Sequence, residues 1–148
     1  MDPVKIETFS LARSGDVNVC AAVSNEKQLK EVYNFSVAAA KVQKPISVRT
    51  VETTILNDVL EHTPYADQEI DLLSIDVEGH DYEVLRSIDI SRYKPKIIIV
   101  ESTLTSIREV IASAIFRYLE ERNYRLVSWT YLSLIFRVER SQIFRTQL

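Results

Sequence analysis

Four ionisable side chains stand at the ends of two apolar runs in the second half of the chain. Asp76, Glu78 and His80 close one run, and Glu101 ends the next. A positioned carboxylate can take a proton from a hydroxyl group, and an imidazole can do so near neutral pH. Such groups are costly to desolvate unless they are used or paired. The pattern predicts general-base chemistry, with Asp76 or Glu78 as the base and His80 as the alternative.

Two other roles fit the same residues. Glu78 and Asp81 precede or begin a helical pattern, where negative charge is stabilised by the helix dipole. Asp76 with Glu78 could hold a divalent cation through oxygen ligands, but two carboxylates alone are weak evidence for a metal. We therefore expect no metal site and keep the helix-stabilising role as an alternative.

The elements that must position these residues are clear from the pattern. Residues 70–77 and 96–101 are nearly continuous apolar runs, typical of strands covered on both faces. Residues 80–89 between them have a helical pattern. Ligands of open parallel sheets bind beyond the carboxyl ends of the strands. We expect the ionisable residues at that edge of the sheet.

One long helix and a hairpin should complete the second half. Ser106 and Glu109 form a capping box, and an apolar stripe continues to Leu119. Asn123 can end this helix in a left-handed conformation. Two strands then follow, residues 124–129 and 132–138, joined tightly enough to be antiparallel.

The first half is less regular. We expect a short helix within residues 1–16, strands at 17–23 and 47–51, and a helix from a Thr54 cap to His62. Within residues 29–43, Val32, Tyr33 and Phe35 could form a strand, and residues 37–42 could form a helical turn. The alternation of short apolar runs with helical periodicity indicates an α/β domain.

Composition restricts the function further. The 148 residues carry a net charge of −3, which gives no reason to expect nucleic acid or an anionic membrane as partner. Cys20 is the only cysteine, so an intrachain disulfide is impossible. With no signal-peptide pattern and no apolar run near the length of a membrane span, a cytoplasmic location is expected.

Glycine is scarce. Gly15 and Gly79 are the only two, where an average chain of this length has about ten. A loop that lets the backbone approach a nucleotide closely needs clustered glycines, because side chains block that approach. The sequence therefore predicts no glycine-rich cofactor loop within this chain.

The second half resembles a known family. Ile75-Asp76-Val77-Glu78-Gly79-His80-Asp81, with residues 70–86 around it and 94–101 after it, is similar to the FkbM methyltransferases, whose hallmark is Ile-Asp-x-Glu-Gly-x-Glu followed by a helix and a strand ending in glutamate. Asp81 replaces the usual glutamate, and His80 stands where the family has a small or apolar residue. Weaker similarity covers residues 53–60, residues 18–24 and Asp2-Pro3.

The resemblance implies a Rossmann-like class I methyltransferase sheet, mostly parallel with a C-terminal antiparallel hairpin. It implies S-adenosylmethionine as cofactor and methyl transfer to a hydroxyl of a small molecule or sugar. Asp2 would hold the ribose hydroxyls of the cofactor, and Asp76 and Glu101 would also contact it. No metal, nucleic acid or membrane is implied.

The resemblance also predicts an incomplete sheet. The family's central first strand and its glycine loop would lie before Met1. Residues 1–148 would then form a single methyltransferase-like domain, with residues 1–45 poorly anchored and 46–148 well formed. The chain alone is then expected to be inactive. The alternative is a non-catalytic α/β remnant or partner module that has lost cofactor binding.

Overall fold

The computed structural model describes residues 3–34 and 47–139. The chain divides into two compact units, Met1–Ala66 and Asp67–Leu148. Both units contain helices and strands, so the protein is a mixed α/β protein with two sheets. In the part of the chain that the structure describes, no helix is long and apolar enough to span a bilayer.

The first unit contains a three-stranded sheet in the order β1-β3-β2. Strand β3 pairs in parallel with β1 and antiparallel with β2. The elements of this unit are α1 (Pro3–Ala12), β1 (Ala22–Val23), β2 (Leu29–Asn34), β3 (Ser47–Thr54) and α2 (Leu56–Glu61). The strand considered at Val32 and Tyr33 is confirmed as part of β2, whereas Phe35 and the helical turn considered for residues 37–42 lie outside the described residues.

Two expectations for the first unit are wrong. The strand expected at 17–23 is only two residues long, because just Ala22 and Val23 pair with β3, while Val17 and Val19 are about half exposed. Thr54 does not cap α2, because it still belongs to β3 and its carbonyl oxygen accepts a hydrogen bond from the Ser24 N–H. Helix α2 begins after Ile55 without a side-chain cap.

The second unit contains a four-stranded sheet in the order β4-β5-β7-β6. Strands β4 and β5 are parallel, while β7 is antiparallel to both β5 and β6. The C-terminal antiparallel hairpin predicted from the sequence is confirmed. The elements are β4 (Leu72–Ile75), α3 (Asp81–Arg86), α4 (Ile90–Tyr93), β5 (Ile97–Glu101), α5 (Ile107–Ala112), α6 (Ala114–Glu120), β6 (Tyr124–Thr130) and β7 (Ser133–Val138).

The core of this unit lies on one face of the sheet. Ile98 and Val100 of β5 are fully buried, whereas their neighbour Ile97 is 38% exposed. Leu72, which faces Ile97 in the register, is 53% exposed. Successive side chains of a strand point to opposite faces, so this alternation marks one covered face and one accessible face. The expectation that both strands are covered on both faces is therefore wrong.

The helix expected after residue 106 is interrupted. The Ser106–Glu109 capping box is confirmed, and so is the left-handed Asn123, with φ of 63°. At Ser113, however, ψ is 154°, which is extended backbone. The Ser113 hydroxyl accepts a hydrogen bond from the Phe116 N–H and donates one to the Val110 carbonyl oxygen, so this serine ends α5 and caps α6.

Candidate functional site

Asp76 and Glu101 lie side by side at one edge of the sheet. In the parallel register Ile75 is opposite Val100, so the next residues along the two strands are Asp76 and Glu101. Neighbouring strands are about 4.8 Å apart. Asp76 is close enough to Glu101 to raise the pKa of its carboxyl group. The carboxyl ends of β4 and β5 thus bring together two acids that are 25 positions apart in sequence.

The environment of Glu101 favours its protonated form. Removal of water from around the group is the largest cause of a raised Glu101 pKa. The charge of Asp76 and its hydrogen bond to Glu101 add to this, and Asp81 and Glu78 contribute smaller repulsions. All the charged groups that raise the pKa are carboxylates. The edge of the sheet is therefore an acidic site, at which the surroundings raise the pKa of Glu101.

A tight loop carries Glu78 from β4 to α3. Glu78 and Gly79 both have left-handed backbones, with φ of 54° and 91°. An added Cβ on Gly79 would meet no atom within 4 Å, so the backbone conformation, rather than space, requires glycine there. A glutamate in this conformation is strained, and such residues cluster at functional sites.

Asp81 closes this loop. Its carboxylate is buried, and its two oxygens accept hydrogen bonds of 3.1 Å from the Val77 N–H and the Gly79 N–H. The sequence suggested only that Asp81 stabilises the helix N-terminus, so this role was missed. An acidic side chain can accept hydrogen bonds from backbone N–H groups two and four residues before it in a turn. This role can be recognised in the sequence only once the turn itself is known.

His80 is the residue that precedes α3. Its backbone carbonyl oxygen accepts a hydrogen bond from the Val84 N–H, and its side chain makes no capping hydrogen bond to the helix. The side chains of Asp76, Glu78 and His80 are exposed. The structure therefore places all three residues beyond the carboxyl end of β4, as the sequence predicted. Solvent reaches their side chains there.

Other predicted ligands are not brought to this site. Asp2, proposed to hold ribose hydroxyls, lies outside the described residues. Within residues 3–34 and 47–139, no group of three or more His, Cys, Asp or Glu side chains has a geometry that could hold a metal ion. The acidic edge is thus a cluster of carboxyl groups without the arrangement of a metal centre.

A cavity of about 260 Å³ opens beside Glu101. Its walls come from the start of α3, the segment after β5 and the start of α6. The lining residues are Gly79, Asp81, Tyr82, Glu101, Ser102, Thr103, Leu104, Ser113, Ala114 and Ile115. The residues after Glu101 and the start of α6 were not selected from the sequence, because no local pattern marks them as part of a cavity.

The geometry of the site indicates a class of protein, and comparison of the sequence with known families identifies the family. A cavity with several acidic groups beyond the carboxyl ends of parallel strands is typical of an α/β protein that binds a small molecule. The sequence model of the methyltransferase FkbM domain matches residues 5–126, which is most of the chain. The chain therefore belongs to the FkbM methyltransferase family. No curated protein and no solved structure matches it.

Proposed function

We propose that the chain catalyses S-adenosylmethionine-dependent methyl transfer to a hydroxyl group of a small molecule or sugar. The observation that carries this proposal is that Asp76 and Glu101 lie at the carboxyl ends of adjacent parallel strands beside a cavity. Membership of the FkbM methyltransferase family supports methyl transfer as the reaction type. The acidic pair supports a hydroxyl as acceptor, because such a group must lose a proton when it is methylated.

The acidic edge fits a cationic cofactor. Bound S-adenosylmethionine supplies a methyl group on a positively charged sulfur, which keeps the electron pair of the broken carbon–sulfur bond. The raised Glu101 pKa reflects loss of water first, together with repulsion among carboxylates. A nearby positive charge would relieve this repulsion. Asp76 and Glu101 are therefore the residues that we assign to cofactor contact.

Asp76 is the preferred base. It is exposed, so an acceptor can reach it, and the strand register places it beside Glu101. Asp76 takes the proton of the acceptor hydroxyl as that oxygen bonds to the methyl carbon. Glu78 stands two residues further along the strained loop and adds negative charge near the cavity. His80 is the alternative base, because imidazole titrates near neutral pH.

The order and direction of the strands in the second unit support a Rossmann-like class I methyltransferase sheet. A parallel pair followed by an antiparallel hairpin, with β7 between β5 and β6, is the ending that we expect for a class I methyltransferase sheet. We propose that the second unit is this part of a Rossmann-like sheet.

The first experiment is a calorimetric titration of the full chain with S-adenosylmethionine, paired with a methyl-transfer assay. We expect donor binding, and we expect Asp76→Asn to lower the rate of transfer by about 10² to 10⁴-fold. Asp71→Asn is the matched control, since Asp71 flanks the other end of β4 and pairs with Lys96. It should leave the rate within about twofold.

The opposite result has a clear meaning. If the chain releases no heat with S-adenosylmethionine and transfers no methyl group, the catalytic proposal is wrong and the non-catalytic α/β module is the better description. The same titration decides the expectation, drawn from the scarcity of glycine, that the chain alone binds no donor. Equal loss of transfer in Asp71→Asn and Asp76→Asn would instead refute the assignment of Asp76 as the base.

A further inference from the structure

We infer that Tyr131, at the tip of the β6–β7 hairpin, is a specificity-determining residue whose aromatic ring stacks on a ring of the methyl acceptor. The inference rests on the proposed function and deepens it, because it assigns a contact for the part of the acceptor that extends beyond the cavity. Three observations carry it. They are the position of the hairpin tip beside Glu101, the strained backbone of Tyr131 and the exposure of its side chain.

The hairpin tip lies at the same edge of the sheet as the acidic residues. Strand β7 is antiparallel to β5, so its first residue, Ser133, is opposite Glu101, the last residue of β5. The Leu132 carbonyl oxygen accepts a 2.7 Å hydrogen bond from the N–H of Ser102, which lines the cavity beside Glu101. Tyr131 is therefore one residue away from a direct contact with the cavity wall.

The backbone of Tyr131 has a conformation that its side chain disfavours. Its φ of 51° lies in the left-handed region, which glycine and asparagine adopt much more readily than an aromatic residue. Thr130 pairs with Ser133, so the hairpin loop has only two residues, and Asn-Gly is the usual choice for such loops. Tyrosine is thus strained at this position, and strained residues of this kind cluster at functional sites.

The Tyr131 side chain contributes little to the fold. It is 87% exposed, so its ring buries almost no apolar surface. The tip is instead held by the backbone, because the Trp129 indole N–H donates a 2.9 Å hydrogen bond to the Tyr131 carbonyl oxygen. Every residue type has that oxygen, so this hydrogen bond does not explain the tyrosine. A contact with a ligand does explain it.

An exposed tyrosine ring offers a flat apolar face to a ligand. Its partner is another flat face, either the π face of an aromatic ring or the C–H face of a sugar ring. The cavity beside Glu101 has about 260 Å³, which is less than most ligand pockets have. A larger acceptor must also contact residues beyond the cavity wall, and the hairpin tip adjoins that wall. The reacting hydroxyl would lie beside Asp76 while a ring of the acceptor lies against Tyr131.

Trp129 makes binding at the tip measurable. It is the only tryptophan in the sequence, and its indole is hydrogen-bonded to the backbone of Tyr131. Benzyl alcohol and methyl β-D-glucopyranoside represent the two kinds of ring, and both carry hydroxyl groups. Each is titrated into the full chain while tryptophan emission is followed. We expect a saturable change with at least one of them, and the one that binds more tightly identifies the kind of ring.

Three variants separate ligand contact from an effect on folding. Tyr131→Asn relieves the strained φ, so it should raise the midpoint of thermal unfolding by about 2–5 °C. It removes the ring, so it should also weaken probe binding about five- to tenfold. Tyr131→Phe keeps the ring and should leave the affinity within about twofold.

Lys94→Asn is the matched control. Lys94 is also exposed and left-handed, with φ of 42°, but it precedes β5 and so lies at the opposite end of that strand from Glu101. This variant should leave the affinity for the probes within about twofold. A merely structural role of Tyr131 would give Tyr131→Asn the gain in thermal stability without any loss of binding.

The outcomes distinguish this inference from the proposed function. It is overturned if neither probe binds, if Tyr131→Asn binds like wild type, or if Tyr131→Phe weakens binding as much as Tyr131→Asn does. Methylation of a probe by Tyr131→Asn with the wild-type KM also overturns it, while the proposed function stands. Ring-dependent probe binding without any binding of S-adenosylmethionine refutes the proposed function and with it the acceptor role. Donor binding together with a KM for the probe that rises in Tyr131→Asn, at little change in kcat, supports both.

Discussion

Asp76 and Glu101 lie side by side at the carboxyl ends of two adjacent parallel strands. The pair is formed by residues from separate strands, so it exists only while β4 and β5 are paired. Because loss of water and the neighbouring acids raise the Glu101 pKa, the folded chain holds the Glu101 proton more strongly than the unfolded chain does. Folding and protonation of the site are therefore linked.

This linkage predicts how stability depends on pH. As the pH rises, the unfolded chain releases the Glu101 proton before the folded chain does. Stability therefore falls as the pH rises from the ordinary glutamate pKa through the raised pKa of Glu101. Glu101→Gln removes this loss, so the variant should gain stability relative to wild type above that window and not below it. Urea denaturation of both proteins between about pH 4 and pH 8 measures the difference.

Glu109 provides a control of opposite sign. Hydrogen bonds from Thr105, chiefly its backbone N–H, and from Ser106 lower the Glu109 pKa. The stability that Glu109 contributes is present above the ordinary glutamate pKa and is lost as the pH falls through the lowered pKa of Glu109. Glu109→Gln should therefore lose stability at the higher pH values. Identical pH profiles for the two variants would contradict both assignments.

Gly79→Ala should destabilise the second unit by about 1–2 kcal/mol, because φ of 91° is strained for any residue with a Cβ. Gly15→Ala is the matched control, since Gly15 has no such φ and its Cβ would meet nothing within 4 Å. That variant should be neutral or stabilised by up to about 1 kcal/mol. Chemical denaturation followed by circular dichroism compares them, and equal costs would show that the loop conformation is wrong.

Asp81→Asn should cost about 1–3 kcal/mol of stability, because one of its two accepting oxygens becomes an NH₂ group that faces a backbone N–H. Asp89→Asn is the control. Asp89 caps α4 through a single oxygen, which an asparagine retains. That change should cost less than about 0.5 kcal/mol. Denaturant unfolding gives both values, and a harmless Asp81→Asn would remove its assigned role in the loop.

Two buried tyrosines give a prediction about the core. The Tyr124 hydroxyl donates a 2.5 Å hydrogen bond to the Pro95 carbonyl oxygen, and burial raises the pKa of Tyr124 to about 12. The Tyr93 hydroxyl is buried and has no hydrogen-bond partner among the described residues. Tyr124→Phe should cost about 1–2 kcal/mol, because it leaves a buried carbonyl unpaired.

Tyr93→Phe should be neutral or stabilising, because it removes a buried hydroxyl that makes no hydrogen bond in the described structure. Thermal unfolding of the two variants under one condition measures the contrast. The reverse order of stabilities would mean that the hydroxyl of Tyr93, rather than that of Tyr124, has the important partner.

Local signals in the sequence were sufficient for several features of the second unit. The runs that end at Asp76 and Glu101 are strands, and their parallel pairing follows from the helical pattern between them. The Ser106–Glu109 capping box and the left-handed Asn123 are local motifs whose residues determine their own hydrogen bonds. Such features need no knowledge of distant parts of the chain.

Features that depend on tertiary contacts were not predicted. A serine at position 113 does not mark a break in the helical pattern of the sequence. Its extended backbone nevertheless separates α5 from α6, and Ser113 lines the cavity. The buried carboxylate of Asp81 depends on a loop whose shape comes from Glu78 and Gly79 together. The acidic residues of the site could therefore be predicted from the sequence, but the residues that line the cavity beside Glu101 could not.

Strand β4 has a strand neighbour on one side only among the described strands. Successive amides of a strand point to opposite sides, so every second amide of Leu72–Ile75 has no ladder partner there. In heavy water these amides should exchange for deuterium well before those of β5, which lies between two strands. Opening of β4 would therefore move Asp76, which follows it, away from Glu101, whose strand is paired on both sides.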